Sequence, residues 1–257
     1  MTKLTILGSG TAVSHTYPSG YLLSHQNHRY LIDCGEGIKH RLDKAKVDYF
    51  DIEVVFLSHF HPDHFNIETL VQSMMVRNLR EKMEKTLIVY GPPETKARIE
   101  SIWDAKHFNG AFKNNLPEFV KLDIREYEDQ TPCDVNDMKV TPFFLSHGNM
   151  PAVALRFEFD NKVFTYSGDT GLNEVVGKAA LKANLFLCEC NMTPGTTNAG
   201  HLNPKEVGEI SRKSNVEHVV LTHLPGVDPN EKLIESVKES GFKGTISVAY
   251  DFDVLQL

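Results

Sequence analysis

The chain has 257 residues and a formal net charge of −7, with 41% hydrophobic and 24% charged side chains, the balance of an ordinary globular protein rather than a disordered or fibrous one. Its apolar runs, such as Val54-Val55-Phe56-Leu57, are far shorter than the about twenty residues of a spanning helix, so a membrane-embedded protein is not expected. The acidic balance disfavours a protein that coats nucleic acid by bulk charge.

In chain order, short aliphatic and β-branched runs predict strands over 3–7, 20–24 and 29–33, a helix over 36–46 and a strand over 53–57. A helix over 66–84, a strand over 86–90 and a helix over 94–104 come next. Residues 105–130 mix Phe108, Asn109, Gly110, Phe112, Asn114, Asn115 and Pro117 without a period, which reads as a surface excursion, a lid or a homodimer contact. Strands are then expected over 139–145, 152–159 and 162–166, a helix over 173–181 and a strand over 184–188. A helix over 204–213, a strand over 217–221, a helix over 230–239 and a strand over 245–249 close the chain. The start Asn203-Pro204-Lys205-Glu206 combines a capping Asn, a Pro at the first helical position and a Glu that reaches back.

No linker, repeat or low-complexity tract interrupts this pattern, which predicts one domain over 1–257. Strands come in two batches, one in each half, an order that suits two sheets packed face to face with helices outside. The N-terminus runs as a strand into a glycine turn without a secretory leader, so the expected compartment is the cytoplasm. Cys34, Cys133, Cys188 and Cys190 are too few and too unevenly spaced for a disulfide framework and read as buried or idle thiols. Gly8-Ser9-Gly10 begins like a dinucleotide fingerprint, but its third glycine position is Val13, so it reads as a strand-to-loop turn. The basic stretches Lys39, His40, Arg41, Lys44, Lys46 and Arg77, Arg80, Lys82, Lys85 are interleaved with acids and read as solvated helix faces.

The chemistry concentrates in Ser58-His59-Phe60-His61-Pro62-Asp63-His64, directly after an apolar strand. Three imidazoles and a carboxylate within six residues are a polar burden that a metal ion offsets, and the donor set suits zinc, iron or manganese. Further donors follow other strands: His147 after 139–145, Asp169 after 162–166 and His223 after 217–221. Ligands gather beyond the carboxyl ends of strands in α/β sheets, so these side chains are expected to converge.

With its His59, His61, Asp63 and His64 in a His-x-His-x-Asp-His pattern, followed by His147, Asp169 and His223, the sequence resembles the metallo-β-lactamase superfamily over essentially its whole length. The resemblance implies an αββα sandwich of two mixed sheets with helices outside. It implies two divalent metal ions, Zn2+ foremost with Mn2+ or Fe as alternatives: His59, His61 and His147 on one, Asp63, His64 and His223 on the other, Asp169 bridging. Asp33-Cys34-Gly35-Glu36-Gly37, Ser167-Gly168-Asp169-Thr170, Leu187-Cys188-Glu189, Gly200-His201 and Leu221-Thr222-His223 are similar to the ribonuclease Z branch. In that branch, positions matching Glu189 and His201 form an acid pair beside the metals. The arm with which bacterial ribonuclease Z grips transfer RNA is missing, because His147 and Asp169 are only 22 residues apart. That length looks more like the small cyclic-phosphate phosphodiesterases of the branch, although the cysteine cluster for an extra zinc is lacking.

The expectation is a dinuclear hydrolase of a small cyclic or nucleotide phosphodiester, with Asp63, Glu189 and His201 catalytic. An arm-less tRNA 3′-processing endonuclease, with RNA as partner, is the first alternative. A thioesterase or lactonase is the second, weakened because only 34 residues follow His223, too few for an added helical substrate domain.

Overall fold

The computed structural model describes residues 2–103, 121–227 and 229–257. The first sheet contains β1 (Thr2–Gly8), β2 (Gly20–His25), β3 (His28–Ile32), β4 (Val54–Phe56), β5 (Thr86–Gly91) and β6 (Lys121–Glu126), with β14 (Val254–Gln256) returning to its far edge beside β1. The second contains β7 (Cys133–Val135), β8 (Met138–His147), β9 (Met150–Phe159), β10 (Lys162–Tyr166), β11 (Leu185–Glu189), β12 (His218–Thr222) and β13 (Thr245–Val248), spatially in sequence order.

Both sheets are mixed. In the first, β3 to β6 run parallel and β14, β1, β2 and β3 pair antiparallel. In the second, β10 to β13 run parallel and β7 to β10 antiparallel. Strand β8 is two antiparallel steps from β10 and therefore points the same way, which brings the ends of β8, β10, β11 and β12 to one edge.

The strands are apolar on both faces because both are covered. Leu4, Ile6, Tyr21, Tyr30 and Phe56 of the first sheet meet Leu155, Phe157, Phe164, Tyr166 and Leu187 of the second in a core between the sheets. Leu7, Leu22, Leu31 and Val55 face outward, under α1 (Ile38–Lys44), α2 (Glu68–Glu81) and α3 (Thr95–Trp103). On the opposite side Phe186, Cys188, Val219 and Leu221 pack under α4 (Glu174–Ala179), α5 (Pro204–Lys213) and α6 (Asn230–Glu239). This is the expected sandwich with helices outside. Cys34, Cys188 and Cys190 are buried and Cys133 is half-buried, all four outside any disulfide.

Three strands depart from the expectation. β6 lies inside the tract read as aperiodic, because an edge strand with the sequence KLDIRE buries too little to show alternation. β7 and β14 have three residues each, below the length at which a period is visible. β14 also breaks the two-batch order by returning to the first sheet. Of the tract 105–130 expected to form a lid or dimer contact, residues 105–120, with Phe108 to Pro117, lie outside the described residues. Among the described residues no helix is long and apolar enough to cross a membrane.

Candidate metal centre

Strand β4 is three residues long and lies between β3 and β5, and its continuation is held by Leu57 N–H donating to Tyr90 O and Ser58 N–H to the Asp33 carboxylate. The next turn closes when the amides of His64 and Phe65 both donate to His61 O. That short loop puts His59, His61, Asp63 and His64 at the edge where β8, β10 and β12 end.

Two donor groups result. His59 Nε2 lies 3.0 Å from His61 Nδ1, and His147 Nε2 3.3 Å from the same atom. Asp169 Oδ2 stands 3.6 Å from His59 Nε2 and 3.9 Å from His147 Nε2, completing the first group. Asp63, His64 and His223 make the second, with Asp63 Oδ2 3.9 Å from His64 Nε2 and 4.0 Å from His223 Nε2. Asp169 belongs to both sides, since its oxygens lie 3.4 Å from His64 Nε2 and 3.2 Å from His223 Nε2. His64 Nε2 and Asp169 Oδ1 are buried and have no hydrogen-bond partner. Orphaned buried atoms of this kind are costly unless something satisfies them. A divalent cation in each group fits: imidazole and carboxylate are its ordinary donors.

Four of the imidazole rings in these groups are oriented from behind, each through its other nitrogen. His64 Nδ1 is 2.7 Å from Asp33 Oδ2, His59 Nδ1 3.0 Å from Ser58 Oγ, His147 Nδ1 3.0 Å from Gly200 O and His223 Nδ1 3.1 Å from Ser19 Oγ. Asp33 also accepts from Ser58 Oγ at 2.7 Å and Tyr166 OH at 2.8 Å. Ala12 N–H donates to Asp63 Oδ2 at 3.0 Å. Asp33 and His223 both adopt positive φ, 55° and 54°, a conformation uncommon outside glycine that recurs at functional sites.

Burial lowers the His59 pKa well below the usual imidazole value, reinforced by neighbouring His64, and burial likewise lowers His61. Both shifts favour the neutral ring, the form that ligates a metal. Burial would also lower His64, but Asp169, Asp33 and Asp63 reverse this and raise it to about 9. For Asp169 the facing imidazoles of His223, His64 and His59 overcome the burial penalty and hold the carboxyl well below its ordinary value.

Beside the groups stands His201, its Nδ1 3.0 Å from Glu189 Oε1. Glu189 is fully buried, and its oxygens also accept from the amides of Thr170 and Asn191, each at 3.0 Å. Burial alone would lower the His201 pKa, but the bond and charge of Glu189, aided by Asp169, raise it.

All seven predicted donors thus meet at one edge, and the predicted pair Glu189 and His201 joins them. Sequence reasoning missed the supports Ser19 and Tyr166, whose hydroxyls carry no local signal. Asp33 lies within the motif Asp33-Cys34-Gly35-Glu36-Gly37, which by itself implies no role for it. Arg41 is a further correction, since it is 1% exposed and does not belong to a solvated helix face.

Fold and donor groups together define a metallo-hydrolase of the metallo-β-lactamase fold. A family model described as Anti-Pycsar protein Apyc1 matches residues 2–245, and the chain belongs to that family. It is 25% identical over 252 residues to the Bacillus subtilis (strain 168) protein named "Probable metallo-hydrolase YhfI", covering 96% of each chain. The crystal structure of that YhfI matches with a TM-score of 0.84 over 99% of this chain and 98% of the other at 24% identity. A ribonuclease Z of Methanosarcina acetivorans is 24% identical over 288 residues, 93% of each chain. A diphosphatase from the PhnP family superposes with a TM-score of 0.77 at 14% identity, covering 100% of this chain and 98% of its own.

Proposed function

We propose that this chain is a two-metal phosphodiesterase acting on a small cyclic or nucleotide phosphodiester. His59, His61 and His147 would hold one cation and Asp63, His64 and His223 the second, with Asp169 within reach of both groups; zinc is the first choice, manganese or iron the alternatives. When bound, such ions supply an activated water and absorb charge on phosphoryl oxygens. Asp63 is both ligand and orienting base, its Oδ2 steered by the Ala12 amide. His201, kept protonated by Glu189, donates its proton to the leaving oxygen, a role typically worth about 10²–10⁴-fold.

The observation that carries this reading is the pair of half-buried His201 with fully buried Glu189, because an alkoxide leaving group needs a proton and a thiolate does not. It disfavours the thioesterase reading for that reason. The RNA reading is disfavoured by the segment between His147 and Asp169, which is filled by the β9 and β10 hairpin and leaves no room for an arm.

The test is metal analysis of purified protein coupled to a panel of bis-nitrophenyl phosphate, cyclic nucleotides, cyclic ribose phosphates, pre-tRNA, thioesters and lactones. Hydrolysis of a cyclic or nucleotide phosphodiester is expected; metal-free protein inert after reconstitution overturns the reading. His201→Ala should spare metal content and slow an ester with a poor leaving group far more than a nitrophenyl ester. Equal losses on both remove the general-acid role.

A further inference from the structure

We infer that Arg41 is a positioning residue for the second donor group, setting the places of Asp63, His64 and His223 through three chain segments that its guanidinium ties together. This rests on the reading of the two groups as metal sites. Arg41 lies on α1, fully inside the molecule at 1% exposure, and its partners are carbonyl oxygens rather than a carboxylate. Nη1 donates to Leu7 O at 3.3 Å and to Pro18 O, and Nη2 to Gly35 O at 2.7 Å and Glu36 O at 3.1 Å. Nε has no partner. A cation buried on these terms is costly, and the planar fork is the feature of arginine that can span several acceptors at once.

Each acceptor lies at or next to the end of a segment that touches the second group. Leu7 lies one residue before the end of β1, which leads into the loop whose Ala12 amide holds Asp63 Oδ2. Pro18 precedes Ser19, whose hydroxyl orients His223 through Nδ1. Gly35 follows Cys34, whose amide donates to His64 O at 2.7 Å, and Asp33, whose carboxylate holds His64 Nδ1. Gly35 N–H donates to Ser19 O at 3.0 Å, joining two of these segments directly, and a Cβ on Gly35 would run into the backbone oxygen of Asp63. The first group has one link to these segments, His59 through Ser58, whose hydroxyl donates to Asp33, while His147 is oriented by Gly200 O. Support of the two groups is therefore unequal: Arg41 stands behind the second through three links and behind the first through the Asp33–Ser58 link alone.

The experiment is a stepwise zinc titration of the full chain against a chromogenic chelator, repeated with cobalt to read site occupancy by absorption. Wild type, Arg41→Met, Arg41→Lys and Ser19→Ala are compared, with circular dichroism and melting of each metal-free protein. Loss of a supporting contact typically costs about 10–100-fold in metal affinity. The expected result is a second equivalent weakened by that factor in Arg41→Met, with the first within about threefold of wild type. Arg41→Lys, which keeps the charge and loses the fork, should fall between. Ser19→Ala leaves α1 untouched and should weaken the second equivalent alone. Both equivalents falling together, or neither falling in folded Arg41→Met, overturns the inference. If Arg41→Met does not fold, an unchanged second equivalent in Ser19→Ala overturns it. Wild type that binds fewer than two equivalents defeats the two-metal reading itself, a result seen before any variant is compared.

Discussion

Asp33 takes two hydrogen bonds from Ser58 and one from Tyr166 while facing His64 at 2.7 Å, all with no exposure to solvent. An amide in its place must turn an NH2 toward at least one donor. Asp33→Asn should therefore lower metal affinity about 10–100-fold, and breaking the buried pair should cost about 3–5 kcal/mol in urea unfolding of the metal-free protein. Gly168 precedes Asp169 with φ 58°, and a Cβ there would sit 2.6 Å from Val153 O and 3.2 Å from Ser58 Cβ. Gly168→Ala combines an unfavourable backbone with a steric conflict, so a loss of about 1–3 kcal/mol is expected by thermal melting, together with weakened metal binding. The donors themselves were readable in the sequence because His and Asp right after apolar strands is a local pattern. Their supports were not, since a serine or tyrosine becomes informative only when its partner is known.

Among the elements, α5 matters most for the site because it starts directly after His201. Its capping box is complete: Asn203 Oδ1 accepts from Glu206 N–H at 3.0 Å and Glu206 Oε2 from Asn203 N–H at 2.9 Å. Asn203 Nδ2 also holds Thr196 O at 2.7 Å, tying the preceding loop. Asn203→Ala should cost about 1 kcal/mol in melting experiments. At Gly208 the same helix approaches α6 closely: an added Cβ would run into Ser240 Oγ and lie 2.5 Å from Val237 O and 2.9 Å from Ser240 Cβ. Alanine is the better helix former by about 1 kcal/mol, yet Gly208→Ala should destabilise, because overpacking costs about 1–3 kcal/mol. A variant more stable than wild type would mean that α5 and α6 can separate freely. This helix was predictable to the residue from Asn203-Pro204-Lys205-Glu206, a local code. The edge strand β6 was not, because its place is set by the parallel ladder with β5 and not by its own composition.

At the scale of the molecule, the centre joins loops from both sheets, so occupied metal sites should act as a clamp on the fold. Val153 N–H donating to Ser58 O at 3.0 Å is one direct bond across that edge. A ligand at one hundred times its dissociation constant adds about 2.7 kcal/mol per site, and a chain of this size shifts by about 2–4 °C per kcal/mol. Chelation should accordingly lower the melting temperature by several degrees while leaving a folded protein, and zinc should restore it; an unchanged transition would mean that no metal contributes to folding. The sequence, read with the family resemblance that its histidine motif carries, was enough for the sandwich class and for naming the seven side chains that the fold brings to one edge, because that motif and the His and Asp that follow apolar strands are local patterns. It could not show that Arg41 is buried, that Glu189 is sealed from solvent, or that β14 crosses back to the first sheet. Those facts depend on contacts between residues far apart in the chain, such as Tyr166 with Asp33 across 133 positions and His223 with Ser19 across 204. Only closure of the two sheets brings such partners within hydrogen-bonding distance.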